Sequence, residues 1–65
     1  MNPMLTARER EVLKHVADGL ENTEIGVRLG LSLGTIRSHL GRVYIKLGAA
    51  NRAHAAAIAV RRRVA

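Results

Sequence analysis

Apolar residues recur with helical spacing in four stretches of this chain, and each stretch is bounded by a residue suited to start or stop a helix. Val12, Leu13 and Val16 share one face, with Leu20 just past a stop at Gly19, so a first helix is predicted over about 7–18. Thr6-Ala7-Arg8-Glu9 in front of it has the form of a capping box, with Leu5 placed to act as a staple. Ile25 and Leu29 give a short second helix, about 23–29, a single buried stripe, with Asn22 as its N-cap and Glu24 at its positive end. Gly30 and Leu31 make the next corner, where glycine supplies the positive φ a sharp turn often needs. Ser32 caps a third helix, about 33–47, whose Ile36, Leu40, Val43 and Leu47 define a core face before Gly48 ends it. Asn51 caps a fourth, about 52–62. The expected architecture is all-α: a compact four-helix bundle containing a helix-turn-helix, as one domain spanning 1–65.

The fourth helix is apolar on more than one side. Ala53, Ala57, Val60 and Val64 are expected to face the core, leaving Ala55, Ile58 and Ala59, with Arg62, as an outer face. A helix apolar on both sides is normally buried on both sides, so that outer face is expected to meet a second copy of the chain. A chain of 65 residues is also short for a self-sufficient core. With no Phe or Trp and Tyr44 as its one aromatic, that core must be aliphatic, which suits helix-on-helix packing.

Charge changes the picture. All five acids (Glu9, Glu11, Asp18, Glu21, Glu24) precede Ile25, whereas Arg37, Arg42, Lys46, Arg52, Arg61, Arg62 and Arg63 follow Ser32 with no acid among them. Residues 1–31 hold four bases and five acids, about −1, and residues 32–65 hold about +7, which sum to the formal +6. A basic helix behind a tight turn is the outline of a helix-turn-helix that reads double-stranded DNA. Opposite its core stripe the third helix presents Gly34, Ser38, Gly41 and Ile45, flanked by Arg37 and Arg42, with Lys46 further round. Two glycines on one exposed helical face are each unfavourable by roughly 0.5–1 kcal/mol relative to Ala, which points to close approach of the backbone to a major groove. Arg37, in the early part of the helix, is the candidate for direct base reading, since its fork fits guanine O6 and N7. Ser38 can bond a base or a phosphate. Arg42 and Lys46 are candidate phosphate contacts, as are the hydroxyls of Thr23, Ser32 and Thr35 near two helix starts, with Ser32 first of all a cap.

Taken in order, Leu5-Thr6, Arg8 to Leu13, Gly19 to Gly26, Leu31-Ser32, Gly34 to Leu40, Lys46-Leu47-Gly48 and Asn51-Arg52-Ala53 closely resemble the LuxR-type (GerE-like) helix-turn-helix domain, over roughly Met4 to Val60. The resemblance implies a bacterial transcription regulator whose third helix enters the major groove and whose fourth helix forms a homodimer on an inverted repeat. It places Arg37, Ser38 and Gly41 where the family contacts bases, and Thr23, Thr35 and Lys46 where it touches the backbone. Gly41 departs from the usual polar residue there, which removes one base contact. Gly26 lies where only a small residue fits between two helices. In the family such a domain usually sits behind a receiver or sensing domain, so the resemblance implies either an autonomous effector or the C-terminal part of a longer regulator, with RNA polymerase as a further partner.

Two other readings remain: a sigma-factor region 4-like promoter module, which also uses a tight two-helix reader with a Leu-Ser-x-Gly-Thr turn, and a basic helical adaptor for RNA or an acidic protein. The Asn51-Arg52-Ala53 start of a fourth helix argues against the first. No enzyme is expected, because nucleophile elbows, phosphate loops and paired carboxylates are absent and Glu9 and Glu11 point apart. Without cysteine there is no thiolate zinc site and no disulfide, and His15, His39 and His54 lack ligand spacing. No metal and no cofactor is expected. His39 beside the core stripe is left to bond within the fold or to a phosphate, and the terminal Arg61-Arg62-Arg63 run to be solvated. The longest apolar run, Ala55 to Val60, is far below a membrane span, and the charged first helix is unlike a signal peptide. A cytoplasmic protein, on the nucleoid when bound to DNA, is the expectation.

Overall fold

A computed structural model describes residues 4–62, so the expectations for Arg63 and Val64 lie outside the described residues. Four helices follow one another: α1 (Ala7–Ala17), α2 (Asn22–Leu29), α3 (Leu33–Leu47) and α4 (Arg52–Arg62), with no strand among the described residues. Thr6 caps α1 in the manner its sequence suggests. Its Oγ1 accepts from the Glu9 amide at 3.0 Å, and its own amide donates to Glu9 Oε1 at 2.9 Å. Ser32 Oγ likewise accepts from the Thr35 amide at 3.1 Å, and Asn51 Oδ1 from the His54 amide at 2.9 Å.

The second helix starts one residue earlier than expected. Glu21 is its N-cap, and the Glu24 carboxylate accepts from the Glu21 amide at 3.1 Å. Asn22 is therefore inside the helix rather than capping it, because its Oδ1 is occupied elsewhere, accepting from Arg52 Nη1 at 2.6 Å.

Two aliphatic clusters share α1. Val12 and Val16 pack with Ile25, Ile36 and Leu40 beneath the α2–α3 pair. Leu13 turns the other way, to Val43, Leu47, Ala55, Ile58 and Ala59, and half-buried Leu5 covers this second cluster. Tyr44 packs against both. The four expected core positions of α3 are all buried. Where α2 meets α3, Gly30 adopts φ +68°, which a side chain would resist, and the Leu31 amide donates back to the Gly26 carbonyl at 2.9 Å. Gly26 is buried against that corner. A Cβ there would stand 2.7 Å from the Leu31 carbonyl oxygen, closer than side chains tolerate.

Among the described residues one charge lies in the interior. Glu9 shares a helical face with Val12, Leu13 and Val16, and only 1% of it is exposed. Lys46 Nζ donates to its Oε1 at 2.7 Å, and Arg42 Nε to its Oε2 at 3.3 Å. A buried carboxylate is tolerable only when paired and fully hydrogen-bonded, and this one has two α3 cations besides the Thr6 amide. The Lys46 bond, then the Thr6 amide and more weakly the charge of Lys46 and the Arg42 bond, outweigh burial and lower its pKa from 4.5 to about 2.

The fourth helix is rotated relative to expectation. Ala55, Ile58 and Ala59 are buried in the core, while Ala53, Ala57 and Val60 face outward. Apolar residues occur around most of this helix, so periodicity alone leaves its rotation undetermined. Arg52 decides it: Nη2 donates to the Leu20 carbonyl at 2.6 Å while Nη1 holds Asn22. That anchor turns Ala55, Ala56 and Ala59, three, four and seven residues on, toward α1 and α3. Ile58 also buries more apolar surface than Val60 could.

Two outcomes follow for stability. Gly26→Val should cost about 1–3 kcal/mol in urea unfolding, because the Leu31 carbonyl is part of the corner and cannot easily yield. Glu9 has a lowered folded pKa, so its contribution is complete above pH 4.5 and is lost as the pH falls toward about 2. The gap in unfolding free energy between the wild type and Glu9→Gln should therefore narrow by about 3 kcal/mol over that window. A constant gap from pH 7 to 2 would show that the carboxylate is not held in this way.

Candidate nucleic-acid interface

The outward side of α3 carries the candidate readers. Gly34, Arg37, Ser38, Gly41 and Arg42 are all exposed, and the structure brings them onto one continuous surface. A Cβ placed on Gly34 or Gly41 would meet no atom within 4 Å, so the strip is bare because glycine occupies it and not because another helix covers it. Arg37 also lines a concavity of about 420 Å³ between the start of α2, with Asn22 and Thr23, and Leu33 of α3, with Arg52 beside it. Base-reading and backbone candidates from different helices, Arg37 and Thr23, thus share one rim.

The cations on the other flank are partly committed to the fold. Lys46, expected as a phosphate contact, is turned inward; besides Glu9 its Nζ donates to the Met4 carbonyl at 3.2 Å, and only 30% of its side chain is exposed. Its charge neutralises a buried carboxylate, while part of its side chain stays at the surface. Arg42 keeps more of its guanidinium in solvent while Nε holds Glu9 and Nη2 donates to His39 Nδ1 at 3.1 Å. His39 therefore bonds within the fold. Ser32 and Thr35 share a hydroxyl–hydroxyl bond of 2.9 Å at the start of α3, with Ser32 exposed and Thr35 half-buried. Thr23 is exposed at the first turn of α2.

The outer face assigned to dimerisation needs correction. Ala55, Ile58 and Ala59 lie in the chain's own core, for the reason given by Arg52, and cannot form a second surface. Arg62 is exposed. Ala53, Ala57 and Val60, at i, i+4 and i+7, are the stripe that α4 presents to solvent, with Val60 67% exposed.

Beyond the capping role of Glu9, its burial against two α3 cations and the anchoring of α4 by Arg52 lie outside the sequence expectations. Glu9 had a visible signal, since it falls in register with the buried valines of α1, and a charge at such a position requires a partner. For Arg52 there was none, because its acceptors lie 30 and 32 residues away in the α1–α2 connection. Among the described residues no group of His, Cys, Asp and Glu is placed to hold a metal ion. No helix among them is long and apolar enough to cross a membrane.

Residues 3–59 match the family described as bacterial regulatory proteins, luxR family (GerE). The chain is 50% identical over 56 residues to the probable transcriptional regulatory protein SgaR of Hyphomicrobium methylovorum, covering 86% of this chain and 26% of that protein. It is 44% identical over 62 residues to the probable transcriptional regulatory protein NarL of Mycobacterium tuberculosis, covering 95% of this chain and 29% of the relative. Among solved structures, the response regulator ChrA of a heme-sensing two-component system superposes with a TM-score of 0.88 at 37% identity, over 95% of this chain and 31% of that one. The chain thus spans under a third of each of these relatives. A match of this extent displaces the sigma-factor alternative, and the chain belongs to the luxR family of bacterial regulatory proteins.

Proposed function

We infer that this chain is the sequence-specific DNA-binding unit of a bacterial transcription regulator, with α3 in the major groove and a homodimer formed through α4 on an inverted repeat. The observation that carries this reading is the bare, exposed strip of Gly34, Ser38 and Gly41 along α3, bordered by Arg37 and Arg42. A helix without side chains on its outer face can lie deep in the groove, while arginines at its borders reach base edges on one side and phosphates on the other. Arg37 reads a base pair and Ser38 assists it. Thr23, the outer edge of Arg42 and the hydroxyls at the start of α3 hold phosphates and set the register.

The surface by which two copies meet is the outward stripe of α4. Ala53 and Ala57 are small enough to let two helices approach closely across a two-fold axis, and Val60 gives the contact an apolar centre. A receiver domain is the natural source of control, because ChrA is a response regulator and the matched relatives are more than three times the length aligned here. RNA polymerase is a further partner in this reading.

Selection from a pool of random duplexes tests the reading. An inverted repeat with half-sites about one helical turn apart supports it, and the absence of any enriched sequence overturns it. Arg37→Ala should cost about 1–3 kcal/mol on the selected duplex and relax preference at one base pair. Arg42→Ala should instead weaken all duplexes alike and reduce the salt slope by about one. In sedimentation, Val60→Asp should give a folded monomer, whereas Ile58→Asp should unfold the chain by placing a charge in its core.

A further inference from the structure

Ile45 is the large apolar side chain on the outward strip of α3. It is 83% exposed and stands one turn beyond Gly41, in line with Gly34 and Ser38. Single exposed aliphatic residues are common and by themselves mean little. This one differs in its setting: the positions one and three turns before it carry no side chain, so nothing on the strip screens it. The helix around it has no acid, and Arg37 and Arg42 flank the same surface, so the complementary partner is a polyanion. A phosphate gives isoleucine nothing to bond. In the major groove of a duplex the apolar group offered at a base edge is the C5 methyl of thymine.

We propose that Ile45 reads a thymine through its C5 methyl, with Gly41 leaving the helix close enough to the base edges for the two apolar groups to touch. The assignment rests on the proposed seating of α3 in the major groove. Ser38 and Ile45 are seven residues apart, about 10 Å along the helix, so the thymine lies about three base pairs from the pair read at the start of α3. This makes the later part of the helix a second reading point, apolar where the first is polar.

The test replaces each thymine of the selected duplex in turn by deoxyuridine, which lacks only the methyl, and measures binding by the wild type and Ile45→Ala. One position about three base pairs from the Arg37-sensitive pair should weaken wild-type binding about fourfold, the worth of one buried methyl. Ile45→Ala, whose helix content by circular dichroism should match that of the wild type, should bind the two duplexes equally. Ile45→Lys should likewise lose the methyl preference, while its salt slope steepens if the new cation reaches a phosphate. A deoxyuridine penalty equal in wild type and Ile45→Ala, or no thymine whose methyl matters, overturns the assignment while leaving specific DNA binding intact. Failure to select any duplex sinks the seating of α3 itself, and this assignment with it.

Discussion

A carboxylate in the interior of α1 fastens the outward-facing helix to the rest of the molecule. Glu9 accepts from the Thr6 amide, from Lys46 and from Arg42, so one side chain closes the start of α1 and grips α3 along its later half. Burial raises the energy of an unpaired charge steeply, which makes every departure of α3 from this position unfavourable. Hydrophobic contacts between the same helices are non-directional and would permit sliding or rotation at smaller cost. The ion cluster adds the direction those contacts lack.

The same arrangement divides the α3 cations between the fold and the surface. Lys46 is drawn inward and Arg42, though exposed, shares its guanidinium with Glu9 and His39, whereas Arg37 is exposed on the other flank. In the proposed complex, phosphate attraction is therefore weaker than the charge of the basic half suggests. Preference for particular base pairs then rests more on shape, on how closely a helix with glycines at 34 and 41 can approach.

A second long-range tie sets α4. Arg52 bonds two neutral oxygens in the connection between α1 and α2, Leu20 O and Asn22 Oδ1. Through it the rotation of α4, and so the stripe it can offer to another copy, depends on the segment that begins the helix-turn-helix. In the proposed dimer, pairing through α4 would therefore be coupled to the start of α2 through the Arg52 guanidinium.

What could be read along the chain was whatever depends on neighbours in sequence. The caps at Thr6, Ser32 and Asn51, the corner at Gly30 and the core stripe of α3 follow from spacings of three, four and seven residues, which one helix fixes by itself. The bare strip of α3 was legible for the same reason, being the complement of a clear stripe. Asn22 and α4 were not, because each had two acceptable local arrangements and the choice fell to an arginine some thirty residues distant from its acceptors. Glu9 lay between the cases: its register on α1 was visible, but the two cations that make its burial possible belong to α3. Periodicity thus determined the helices and their strongest faces, while only tertiary structure decided the rotation of a helix apolar all round and the fate of each charge, since both depend on groups that meet when the chain has closed on itself.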